Sequence, residues 1–100
     1  MSSAKKVYSG DRTIDGVVVQ VDGTKLRPDQ TQDRNFEWGY EGASPMELSR
    51  AILTDHFGDA RRAEILATPF MREVVANFAN EWQMTSEDID LALKVIDQRG

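Results

Sequence analysis

The chain has 100 residues, 40% of them hydrophobic and 29% charged, with a formal net charge of −5 and no cysteine. That length suits one domain with a modest core, and the acidic balance argues against non-specific attraction to nucleic acid or anionic lipid. The missing thiols exclude disulfides, cysteine zinc sites, iron–sulfur clusters and thiolate catalysis. No apolar run approaches the ~20 residues that cross a bilayer, and Met1 to Lys6 does not open a signal peptide. The expectation is therefore a cytoplasmic protein, not a membrane one. Residues 1–50 carry seven basic and eight acidic side chains, and residues 51–100 carry five and nine, so most of the excess lies in the second half.

Taken in order, Met1 to Ala4 read as a frayed tail, and Lys6-Val7-Tyr8 as a short first strand ended by Ser9-Gly10-Asp11. Val17 to Val21 is the clearest strand, because β-branched side chains favour extended backbone. Its odd-numbered valines share one face and are expected to look inward. Asp22-Gly23 signals a two-residue turn into Thr24-Lys25-Leu26, giving a hairpin whose free side the first strand can pair. Pro28 to Arg34 is a polar connector, followed by an expected strand from Asn35 to Tyr40. In such a strand Phe36, Trp38 and Tyr40 would share a face, offering a packing surface for helices or, as the sharper alternative, a ligand platform.

The rest reads as helical. Ser44 is the expected N-cap of the first helix, with Pro45 at its first position and Glu47 completing a capping box. Gly58 is its expected left-handed C-cap. Asp59 then caps a second helical region through about Phe78, whose apolar face at Leu66, Phe70 and Val74 spans Pro69. That proline either kinks one helix or divides two, and the continuous face favours one bent region. Trp82 and Met84 share a face if extended, so residues 80–84 read as a small strand or a strap across the core. Thr85 and Asp88 form the capping box of a last helix with Ile89, Ala92, Leu93 and Ile96 as its buried stripe. Leu91 and Val95 lie off that stripe, where a partner helix or a homodimer contact can use them. Residues 98–100 are expected to be flexible. Strands first and helices after make an α+β domain: a small N-terminal antiparallel sheet packed against about three C-terminal helices, spanning residues 1–100 as a single domain.

No catalytic constellation emerges. His56 is the single histidine, and the last turn of a helix explains it without a metal. Glu37 and Glu41 flank the aromatic segment but fall on the face opposite Trp38 in an extended chain. Ser44 needs no role beyond capping, and Gly39-Tyr40-Glu41-Gly42 lacks the lysine and hydroxyl of a phosphate-binding loop. Arg61-Arg62 is a compact basic pair whose side chains diverge on a helix. The expectation is a non-enzymatic protein-binding module without cofactor or metal. Its candidate contacts to an unidentified protein partner are Trp38, Tyr40, Trp82, Glu37 and Glu41. The alternatives are an acidic nucleic-acid mimic directed at a basic defence or regulatory protein, and a small enzyme built on Glu37, Glu41 and His56.

Phe36-Glu37-Trp38-Gly39-Tyr40, the helix from Pro45 to Gly58, and Trp82 through Ile89 together resemble a family of small bacterial, archaeal and phage proteins catalogued as a domain of unknown function, DUF6166. The resemblance runs from about Lys6 to Ile96. Glu41 and Ala43 stand where that family more often has small glycine-like residues, and Pro69 departs from its usual uninterrupted helix. The resemblance implies the fold, a link to phages and mobile elements, and no activity.

Overall fold

The computed structural model describes residues 6–14, 16–26 and 36–99. Met1 to Ala4, the connector Pro28 to Arg34 and Gly100 lie outside the described residues. Four strands form one antiparallel sheet: β1 (Val7–Thr13), β2 (Gly16–Val21), β3 (Thr24–Lys25) and β4 (Trp82–Thr85), in the spatial order β3-β2-β1-β4. Three helices, α1 (Ala43–Phe57), α2 (Ala60–Glu73) and α3 (Ser86–Arg99), complete the α+β arrangement, with a 3₁₀ turn at Val75–Asn77.

The hairpin follows its turn chemistry. Asp22 and Gly23 have φ of 52° and 80°, and such a pair of positive φ values matches the right-handed twist of the strands on either side. The Asp22 amide donates to the Val7 carbonyl (2.8 Å), while its carboxylate accepts from the Val7 amide (2.8 Å). One residue thereby closes the hairpin and fixes the start of β1.

β1 is longer than its sequence suggests. It does not end at Ser9-Gly10-Asp11 but continues to Thr13, because it is an inner strand paired to β2 on one side and β4 on the other. Tertiary pairing overrides the weak strand preference of glycine here. Gly10 is also required for a packing reason: a Cβ at this position would overlap the indole of Trp82, the residue opposite it in β4. The strap reading of residues 80–84 is thus superseded by a genuine edge strand, joined to β1 across some seventy residues of sequence.

Alternation sorts the sheet into two faces. Tyr8, Gly10, Val19, Trp82 and Met84 are buried, whereas Asp11, Val18 and Gln83 are exposed. The buried set merges with Leu48, Ile52, Leu53, Ala63, Phe70, Val75 and Ile89 of the helical layer. Ladder alternation also decides what β4 offers at its free edge. Met84 and Trp82 direct their main-chain groups to β1, so Gln83 and Thr85 direct theirs outward. Thr85 does not leave its amide open, since Asp88 accepts it (3.0 Å) and returns its own amide to the Thr85 hydroxyl (3.1 Å). The expected capping box therefore starts α3 and blunts a sheet edge at once.

Other boundaries differ from expectation. The segment at residues 36–40 is not a strand: Gly39, at φ 87°, turns the chain, and its amide donates to the Val75 carbonyl (3.0 Å) instead of a ladder. α1 begins two residues early, with Gly42 at its N-cap and no side-chain cap. Ser44 and Glu47 consequently make no capping box. Glu47 is instead 5% exposed and accepts from Arg50 (3.1 Å), which also forks onto Glu64 of α2 (2.7 and 3.2 Å). Gly58 closes α1 in the left-handed region as expected, its amide reaching the Thr54 carbonyl (2.7 Å). Asp59 caps α2 through two amides, those of Arg61 and Arg62.

α2 runs through Pro69 as one helix, although the proline leaves the Ile65 carbonyl without its helical donor. It stops at Glu73, not near Phe78: Val74 leaves helical geometry, and the Asn77 side chain donates to the Glu73 carbonyl (3.0 Å). α3 keeps Ile89 fully buried, with Ala92, Leu93 and Ile96 half-buried, and extends to Arg99. No helix among the described residues is long and apolar enough to cross a membrane.

Replacement of Gly10 by alanine is expected to lower stability by about 1–3 kcal/mol, the range for overpacking a filled core. Urea unfolding of the variant measures it, and an unchanged midpoint would mean that Trp82 does not press on β1.

Candidate functional site

The segment from Phe36 to Glu41 enters the structure through Arg12. Its guanidinium donates to the Glu37 carboxylate (2.5 Å) and to the Trp38 carbonyl (2.9 Å), and it lies over the Trp38 ring at 4.8 Å from the centroid. Bonding and cation–π contact from one side chain tie the aromatic segment to β1. Trp38 is fully buried and meets Trp82 edge to face, with centroids 5.7 Å apart and planes at 82°. Phe78 stacks on the other indole at 4.3 Å. Neither indole N–H has a hydrogen-bond partner among the described residues. Each such orphan costs about 1–3 kcal/mol, which the ring–ring contacts partly offset.

These contacts correct part of the expected binding set. Trp38 is fully buried and Trp82 is 8% exposed, so both indoles belong to the core, although Trp82 also lines part of the concavity on the sheet. Tyr40 is half exposed, since the turn at Gly39 swings it away from the face that holds Phe36 and Trp38. Glu41 remains at the surface with Arg72 nearby (3.6 Å), and Glu37 is held by Arg12. His56 bonds Asp90 of α3 through Nε2 (2.7 Å) and lies beside Phe57 with the two rings tilted at 57°. Glu37, Glu41 and His56 therefore point into three separate contacts and do not converge. Among the described residues no group of three or more His, Asp or Glu side chains is placed to hold a metal ion. Arg61 and Arg62 also part: Arg62 lies over the Phe57 ring at 4.5 Å.

One buried polar group stands apart from the aromatic cluster. The Tyr8 hydroxyl donates to Asp55 Oδ2 (2.6 Å), which also accepts from the Lys6 ammonium (3.1 Å). Burial pushes the Tyr8 phenol well above its ordinary value, and the hydrogen bond to the Asp55 carboxylate adds to the shift.

The exposed sheet face holds a concavity of about 570 Å³ lined by Ser9, Asp11, Val18, Gln20, Glu81 and Gln83 among others. Asp11 of β1 and Glu81, the residue just before β4, both line it, and both are exposed. Neither carboxylate forms a hydrogen bond or ion pair among the described residues. These two carboxylates give the described lining its acidic character. Among the described residues the lining carries no basic side chain; Lys25 shares the face beside Gln20 at the β3 edge, outside the concavity. Sequence reading missed Asp11 and Glu81 because each looks like an ordinary solvent-facing acid. Only the pairing of strands far apart in the chain brings them together.

A four-stranded antiparallel sheet, with three helices against one face and an acidic concavity on the other, defines a small α+β domain without an assembled reaction centre among its described residues. The chain belongs to the family of unknown function DUF6166, whose model matches residues 8–95. It matches no curated protein and no solved structure.

The Tyr8 shift predicts a pH effect of definite sign. A phenol whose folded pKa lies above its unfolded value of about 10 contributes stability in full below that pH. The contribution declines as pH rises past it, because the unfolded chain ionises first. Stability of the natural chain should therefore fall more steeply above pH 10 than that of Tyr8→Phe. Parallel slopes in denaturation series would place the hydroxyl in contact with water.

Proposed function

We propose that the protein is a small non-enzymatic protein-binding module whose contact surface is the exposed face of the sheet. The observation that carries this reading is the surface concavity lined by Asp11 and Glu81, two exposed carboxylates without a hydrogen bond or ion pair among the described residues. Charges across an interface are arranged to be complementary, so an acidic lining selects a partner of opposing charge. The partner is accordingly a protein presenting a basic, polar surface. Tyr40 and Glu41 remain accessible to an additional contact, with Tyr40 offering a rigid aromatic surface.

The resemblance to phage and mobile-element proteins and the net charge of −5 support a related reading, in which the acidic face stands in for nucleic acid on a basic host protein. The two readings share a surface and differ in what competes for the partner.

Co-purification from the native host is expected to recover a basic protein with the natural chain and to lose most of it with Asp11→Asn/Glu81→Gln. Both substitutions lie on the exposed face, so thermal unfolding should be unchanged or slightly improved. Equal recovery with the double variant would remove the sheet face from consideration. Displacement of the partner by a duplex DNA fragment at low salt would mark a nucleic-acid mimic, and indifference to DNA would leave a plain protein-binding module.

A further inference from the structure

A second surface lies on α3, distinct from the sheet face. This helix turns Ile89, Ala92, Leu93 and Ile96 toward the core, and helical geometry sets Leu91 and Val95 on the opposite side. Both are large apolar residues in solvent, 60% and 50% exposed, and they stand one turn apart. An amphipathic helix with one partner layer has charged residues on that side. Here the apolar pair is flanked by exposed Glu87 and Asp88 one turn toward the N-terminus and by exposed Lys94 toward the C-terminus.

That order of charge selects the occupant. A two-fold contact demands a patch complementary to itself, each residue i meeting j while j meets i. Antiparallel pairing of α3 with a second α3, centred on Leu91, sets Leu91 against its own counterpart. The same pairing brings Lys94 of each helix to Asp88 and Glu87 of the other, and Val95 covers the flank. Parallel pairing instead opposes acid to acid and lysine to lysine. We propose that the chain forms a homodimer through antiparallel packing of α3 on α3, with Leu91 at the two-fold axis and Lys94 reaching the acids of the partner helix.

The absence of cysteine allows a direct test. Sedimentation of the natural chain over a concentration series is expected to show a monomer–dimer equilibrium at physiological ionic strength. Leu91→Glu should weaken it about tenfold or more, corresponding to about 1.4 kcal/mol. Lys94→Glu should also weaken it, and Lys94→Arg should not. A short bifunctional thiol reagent should join Leu91→Cys chains into dimers but leave Ile65→Cys chains, exposed on α2, single. All three residues are exposed, and circular dichroism checks that each variant keeps its fold. A natural chain that stays monomeric throughout the series overturns the proposal. So does a dimer that survives Leu91→Glu, or one that crosslinks as well through Ile65→Cys.

Discussion

The structure depends on one contact, the indole of Trp82 lying against the bare backbone of Gly10. It is the point where the last strand meets an inner strand some seventy residues earlier, and any side chain at Gly10 would occupy the same space. Because the indole fits there, β4 can join the sheet, and Phe78 and Trp38 can pack on its two sides. Arg12, two residues along β1, then secures the segment carrying Trp38. Long-range pairing of this kind carries a larger chain-entropy cost than a hairpin, so the aromatic burial has to offset it.

This contact gives the two ends of the domain their relation to each other. The Lys6 carbonyl accepts from the Ser86 amide (2.9 Å), and the Lys6 amide donates to the Ser86 hydroxyl (3.0 Å), extending the β1–β4 ladder into the first turn of α3. Lys6 and Tyr8 also hold Asp55 near the end of α1, while His56 beside it holds Asp90 of α3. A sheet strand, the first helix and the last helix are thus joined by short polar contacts around one apolar core. The faces left over are unlike: the sheet presents an acidic concavity, and α3 presents an apolar pair between opposite charges. The two surfaces differ in chemistry, so the proposed partner and the proposed second copy would not compete for one face.

The aromatic segment shows how a strong local pattern misleads. Phe36, Trp38 and Tyr40 alternate as strand residues do, yet they form no ladder. Glycine at position 39 adopts a positive φ that ends the alternation, which separates buried Trp38 from exposed Tyr40. The binding residues suggested by aromatic content are therefore divided between core and surface. The more distinctive acids, Asp11 and Glu81, carry no pattern of their own, and only the fold brings them into one concavity.

Local chemistry settled the parts of the molecule that rest on neighbouring residues. The Asp22-Gly23 turn, the left-handed stop at Gly58, the Asp59 cap and the Thr85–Asp88 box all follow from side chains acting within a few positions of themselves. The order of strands and helices, and with it the α+β class, is legible for the same reason. The tertiary structure alone decided the length of β1 and the gathering of Asp11 and Glu81 into one concavity. Each of these depends on what packs or pairs from far along the chain, and a contact made across seventy residues leaves no periodic mark in either partner.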